Sequence, residues 1–124
     1  MTALPIIIQS RDPDVLSFFR SPAQAAAYLE PIDVEGNEYA AVFDVDGRRF
    51  QLTTRAVLRP FLLGLFRRKG EVVDVLPLDP EPSHAEELAG IIRGYLTRAG
   101  HPTSSSATLP ELVAAALARV GYTS

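Results

Sequence analysis

The chain has 124 residues, 15 acidic and 12 basic, a net charge of -3, and 47% hydrophobic against 22% charged residues. That is enough for an ordinary globular core burying roughly two-thirds of the unfolded surface, without disulfides or structural zinc. With no cysteine, a disulfide framework, thiol catalysis and thiolate metal sites are excluded, and the small negative charge gives no overall attraction for nucleic acid or anionic lipid.

Leu4 to Gln9 is a short β-branched run suited to a strand, with Pro5 at its start or on a sheet edge. Three consecutive isoleucines followed by Gln9, Ser10 and Arg11 are too short for a signal-peptide core, and no run approaches a membrane span. A cytoplasmic location is the expectation. Asp12-Pro13-Asp14 marks a turn, and Val15 to Phe19 reads as a second strand. Ser21, Pro22 and Gln24 form an S-P-x-Q helix start, so a helix is expected from Pro22 to about Glu30, ended by Pro31.

Charge is sharply segregated in the middle of the chain. Residues 21 to 47 hold Glu30, Asp33, Glu35, Glu38, Asp44 and Asp46 with no Lys or Arg, whereas residues 48 to 70 hold seven cations and no acid. A hairpin from Glu38 to Arg55 turning at Asp46-Gly47 accounts for this if the turn is a two-residue type I′, which makes paired positions sum to 93. Glu38 then faces Arg55 and Asp44 faces Arg49, leaving Glu30, Asp33 and Glu35 as spare acids in a loop between Tyr28 and Tyr39. Those three are the candidate contact residues for a basic protein partner; a solvated loop is the plainer alternative.

Ala56 to Lys69 is expected to be a short irregular helix interrupted by Pro60 and Gly64. Its apolar residues Phe61, Leu62, Leu63, Leu65 and Phe66 end in the basic patch Arg67, Arg68 and Lys69, read as a core segment with a solvated basic end. Peripheral membrane contact and weak phosphate or nucleic-acid contact are the alternatives. Glu71 to Leu76 is a valine-rich strand closed by Pro77, Pro80 and Pro82.

Ser83 with Glu86 predicts a capped helix ending at Gly100, its apolar stripe formed by Leu88, Ile91, Ile92, Tyr95, Leu96 and Ala99. After the polar connector 101–108, Thr108 with Glu111 caps a last helix, striped by Leu109, Leu112, Val113, Ala116, Leu117 and Val120 and stopped at Gly121. Gly90 and Gly94 fall opposite the first stripe, and Ala114, Ala115 and Ala118 opposite the second. A mid-helix glycine costs about 1 kcal/mol relative to alanine. These small residues are read as close-approach faces, for another part of the chain or for a partner subunit.

The expected fold is α+β in one domain, 1–124: a mainly antiparallel sheet with a short helix in the N-terminal half and two C-terminal helices packed on it. No P-loop, G-x-S-x-G, G-x-G-x-x-G or H-E-x-x-H motif is present. His84 with Glu87 supplies only two metal ligands and His101 follows a helix end, so the sequence calls for no catalytic residue, metal or cofactor.

The segment Asp14 to Val34, with Ser21-Pro22, Ala26, Tyr28-Leu29-Glu30-Pro31 and Asp33-Val34, resembles the strand-helix opening of small bacterial proteins of uncharacterised function. The likeness continues through Glu38-Tyr39 and Asp46-Gly47, covers the first half of the chain and implies no catalytic residue. Function is therefore expected to be protein binding, as an inhibitor or immunity-type factor working by surface contact. A structural subunit of a homo-oligomer, or an enzyme with an unrecognised pocket, is the alternative. Neither a nucleic-acid partner nor a membrane span is expected.

Overall fold

The computed structural model describes residues 4–61, 66–78, 81 and 83–123, with side chains except those of 59–61 and 66–69. Leu62 to Leu65, Pro80 and Pro82 lie outside the described residues. Five strands, β1 (Ile6–Ser10), β2 (Leu16–Phe19), β3 (Tyr39–Phe43), β4 (Arg49–Phe61) and β5 (Phe66–Pro77), form one antiparallel sheet in the order β2-β1-β3-β4-β5. Helices α1 (Pro22–Tyr28) and α2 (Pro31–Glu35) precede β3, and α3 (Ala85–Arg98) and α4 (Leu109–Val120) follow β5. The fold is α+β, as expected.

Both sheet faces are covered, and β1 shows why its three isoleucines must all be apolar. Ile7 joins Phe18, Phe43, Leu88, Ile92 and Leu112 in a core under α3 and α4. Ile6 and Ile8 point the other way, to Phe19, Ala25, Leu29, Val42, Phe50 and Val73 under α1. A bulge at Ala40, where Gln9 pairs with Ala41 but Ser10 with Tyr39, turns Tyr39 onto the Val42 face instead of the Phe43 face assigned by simple alternation.

The hairpin exists, but its register is one residue off. Val42 pairs with Phe50 and Phe43 with Arg49, so paired positions sum to 92. The connection is a three-residue loop, not a type I′ turn. Gly47 N–H donates to Asp44 O at 3.2 Å, Asp44 N–H donates to Arg48 O at 3.0 Å, and Gly47 has φ +91°. This is the type I turn with a glycine bulge that ranks next among hairpin loops.

Asp44 explains the choice. Its side chain is fully buried, and its Oδ1 accepts from the backbone N–H of Asp46 and of Arg48, both at 3.0 Å. Its Oδ2 lies 3.3 Å from the Arg48 guanidinium. A buried carboxylate needs such partners, and the three-residue loop presents its amides to the one side chain that can cap them. Gly47 O then accepts from His84 N–H at 3.0 Å, docking the loop onto the start of α3.

The expected cross-strand pairs are consequently not formed. β4 leaves β3 after Phe50 and pairs with β5 along its length, from Phe50 with Pro77 to Phe61 with Phe66. Arg55 binds Asp74 (Nε to Oδ2, 3.0 Å) instead of Glu38, and Arg49 binds Glu87 (3.0 Å) instead of Asp44. The expected helix over Ala56 to Lys69 is likewise corrected: residues 56–61 and 66–69 are strand, held by the cross-strand ladder despite Pro60.

Helix boundaries differ where prolines and caps compete. α1 ends at Tyr28, with Leu29 N–H still bonded to Ala25 O, and Pro31 opens α2 as its first residue instead of only stopping α1. At α1 the Ser21 hydroxyl accepts from Gln24 N–H as expected, while Gln24 Oε1 accepts from Arg20 N–H. α3 starts one residue later than Ser83 predicts, after His84, with no side-chain cap; its first-turn bonding is to the Gly47 loop. Its end forms the expected Schellman closure, Gly100 (φ +84°) donating to Thr97 O and His101 to Leu96 O. At α4 the Thr108–Glu111 capping box is complete.

Gly47 is the position where this frame tolerates least change. A Cβ there would fall 2.5 Å from the backbone of Ala85 at an unfavourable φ. Gly47→Ala is expected to lower stability by about 3 kcal/mol in urea unfolding, while Gly90→Ala, where a Cβ meets nothing within 4 Å, is expected to raise it by about 0.5–1 kcal/mol. Equal effects at the two sites would contradict the docked-loop arrangement.

Candidate functional site

The three predicted acids all lie on α2 or at its N-cap. Glu30 is its N-cap, Asp33 lies in its first turn and Glu35 ends it. Glu38 follows after Asn37, whose φ of +62° lets the chain reverse into β3. Arg11 reaches this reversal with its guanidinium on Asn37 O (2.6 Å), and its backbone N–H donates to Glu38 O (2.8 Å). No cation pairs with the carboxylates of Glu30, Asp33, Glu35 or Glu38 among the described residues. The sequence isolates the first three only if Glu38 cancels against Arg55. That cancellation fails, and Glu38 joins the group.

Two open hollows flank α2. One, about 520 Å³, lies between the α1–α2 segment and the β4–β5 ribbon, lined by Tyr28, Glu30, Arg55, Glu71 and Asp74 among others. The other, about 330 Å³, is lined by Asp12, Asp33, Glu38 and Tyr39 with Ser10 and Val15. Two large apolar side chains of this segment are exposed: Ile32, at 71%, and Tyr28, more than half exposed although its ring tilts against buried Phe19 at 5.5 Å.

Crowding of like charges leaves its mark on nearby titrations. The Tyr39 phenol is raised above its usual 10, first by burial and then by the charges of Asp33, Tyr28, Glu30 and Glu38. Glu71 on β5 is raised above its usual 4.5, first by a hydrogen bond to Glu35 and then by the charge of Glu35, while Thr54 Oγ1 donates to Glu35 Oε1 at 3.5 Å. Asp74 goes the other way, lowered chiefly by its hydrogen bond from Arg55.

The remaining candidates do not join this surface. Gly90 is exposed with open space above it, and Gly94 is half-buried beneath the Arg98 guanidinium, whose Nη1 would lie 3.0 Å from an added Cβ. That guanidinium binds Asp14 (2.7 Å) and Pro13 O, which gives Gly94 an intrachain role. Ala114, Ala115 and Ala118 are exposed, not packed against another part of the chain as expected. Arg67, Arg68 and Lys69 lie in β5, with side chains outside the described set. His84 approaches Glu87 at 3.4 Å, and Glu87 is shared with Arg49; His101 is exposed past α3. No group of three His, Asp or Glu residues converges as a metal cage among the described residues. Glu71 escapes sequence reasoning because its neighbour Glu35 is distant in sequence, and only the curled sheet brings them together.

Compared with protein-family models, curated proteins and solved structures, the chain matches none of them.

The Glu35–Glu71 contact has a pH sign. A carboxyl whose folded value is raised, as that of Glu71 is, favours the native state at low pH, and that contribution is lost as pH rises through the raised value. Asp74 contributes oppositely, losing its share as pH falls below the ordinary carboxylate range. Glu35→Gln is expected to bring the Glu71 titration down to its ordinary value or below, read by carboxyl carbon NMR. An unchanged Glu71 titration would show that the two groups do not touch.

Proposed function

We propose that the chain is a protein-binding module of the inhibitor or immunity type, which grips a basic segment of another protein with the acidic face around α2. The supporting observation is the set Glu30, Asp33, Glu35 and Glu38, without a cation partner among the described residues, together with exposed Ile32 and Tyr28. Self-repulsion there is what a cationic partner relieves, and a field of one sign steers such a partner into place. Exposed apolar side chains interleaved with acids along the chain, as Tyr28 and Ile32 are with Glu30 and Asp33, supply the two ingredients of a contact surface, an apolar anchor and a charged rim. The same charge opposes pairing of this face with a second copy of itself, since a two-fold contact would set like charges together.

Selection from a displayed random-peptide library tests this. Enriched peptides are expected to carry Lys or Arg beside an apolar residue. Their binding should fall on the order of tenfold or more when Glu30, Asp33, Glu35 and Glu38 are changed to Gln or Asn, with weaker salt dependence. Ile32→Ala should cost more than about 1 kcal/mol of affinity. Enrichment without basic residues, or undiminished binding by the neutralised variant with its fold intact, would overturn the reading.

A further inference from the structure

β4 is thirteen residues long and β3 only five, and the two separate after a short contact. Val42 pairs with Phe50 and Phe43 with Arg49, and no further rung joins them among the described residues. Continued at the same register, Ala40 would stand opposite Leu52 and Glu38 opposite Thr54. The bulge at Ala40 and the reversal at Asn37 (φ +62°) instead take this part of the chain toward α2. A hollow of about 160 Å³, lined by residues 39–42 and 49–52 among others, opens where the strands diverge.

Which main-chain groups of β4 are left over follows from the register. Leu78 N–H donates to Arg49 O on the β5 side, and Arg48 O accepts from Asp44 N–H on the β3 side. Successive residues of a strand turn their N–H and C=O to opposite edges. Arg55 and Val57, like Arg49, therefore bond to β5, while Leu52, Thr54, Ala56 and Leu58 turn theirs to the side that β3 has left. None of these four has a main-chain partner there among the described residues. Pro60 falls in the same outward series, which explains how β4 accommodates a proline: the ladder does not use its missing N–H, and it closes the open edge beyond Leu58.

An open edge is a template for another extended segment, and the groups beside it set that segment's chemistry. Thr54 Oγ1 donates to Glu35 Oε1 at 3.5 Å, so an acid of α2 stands at the edge, and Ala56 is in register with Glu71 on β5. The cation within this stretch, Arg55, is bound to Asp74 at 3.0 Å. Farther out the register turns basic, with Lys69 opposite Leu58 and Arg68 opposite Arg59, so the cations of an added segment are matched to residues 52–56. In an antiparallel addition, which continues the direction of β3, the residues bonded to Leu52, Thr54 and Ala56 share a face with them. That is the face on which Glu35 meets Thr54. This rests on the acidic face as the contact surface; granted that, we infer that the basic partner segment binds as an added strand, antiparallel to β4 along residues 52–58, with Lys or Arg at the alternate positions that bond to the edge and face α2.

The probe is an end-blocked peptide of alternating lysine and valine, added to the isotope-labelled full chain and followed by NMR. The amides of Leu52, Thr54, Ala56 and Leu58 are expected to gain protection from exchange, while those of Arg55 and Val57, already bonded to β5, stay unchanged. N-methylation of the peptide's lysines should weaken binding by about tenfold or more, because it removes the bonds to the edge, whereas N-methylation of its valines should leave binding intact. Ala56→Pro, which deletes an outward N–H and none of the ladder, is expected to weaken binding by about as much, and the N-methylated peptides decide the matter where that variant misfolds. Binding that maps to α2 with the four edge amides unprotected would overturn strand addition and leave the acidic face standing. Edge protection as strong with a serine-valine peptide, or undiminished after Glu30, Asp33, Glu35 and Glu38 are neutralised, would overturn the basic occupant. Protection of Glu71, Val73 and Val75 on the outer edge of β5 instead, or concentration-dependent protection of the β4 edge without peptide, the mark of a second copy, would overturn the inference too. No binding of the peptide would overturn strand addition, and the acidic face with it only if the displayed library also yields no basic binders.

Discussion

The buried carboxylate of Asp44 is the constraint on which the rest of the structure hangs. By accepting from the amides of Asp46 and Arg48 and holding the Arg48 guanidinium, it fixes a three-residue loop that places Gly47 against the start of α3. The loop sets the β3–β4 register, and register decides which charges meet. Beyond Phe50, β4 pairs with β5 instead of β3, which leaves Arg55 for Asp74 and Glu38 for solvent. Removing a partner from a buried ionic cluster costs several kcal/mol, so this arrangement is hard to abandon locally.

From that point the molecule divides into two chemistries along a single ribbon. Near the body, β4 and β5 help bury Phe50 and Val73 under α1 and present Thr54, Glu71 and Asp74 beside the α2 acids. Farther out, the ladder carries a basic stretch with no acid in register. The segregation of charge along the chain thus becomes segregation in space, because the two strands run together and neither returns to β3.

Much of this was legible in the sequence where a residue's local chemistry had one solution. Ser21 with Gln24, Thr108 with Glu111 and Gly100 all cap helices as their types demand, and the stripes of α3 and α4 bury Leu88, Ile92, Leu96, Leu112 and Ala116 as their spacing requires. Asp46-Gly47 announced a hairpin, but two loop types accept that dipeptide, and the buried partners of Asp44 that choose between them are tertiary. The strand over 56–61 was hidden because Pro60 and the apolar run favoured a broken helix, and only pairing with β5 overrides that preference. Glu30, Asp33 and Glu35 lie on α2 or at its N-cap, although the Glu38–Arg55 pairing that sets them apart in the sequence does not form. Glu38 and Glu71 were lost to that same register error and to long-range curling of the sheet.

Backbone nuclear Overhauser contacts across β3 and β4 bear most directly on this account. Cross-strand contacts should join Val42 with Phe50 and Phe43 with Arg49, with the Asp44 amide protected from exchange by its bond to Arg48. Contacts joining Phe43 with Phe50 instead would show the other register and contradict the Asp44-centred loop on which the account rests.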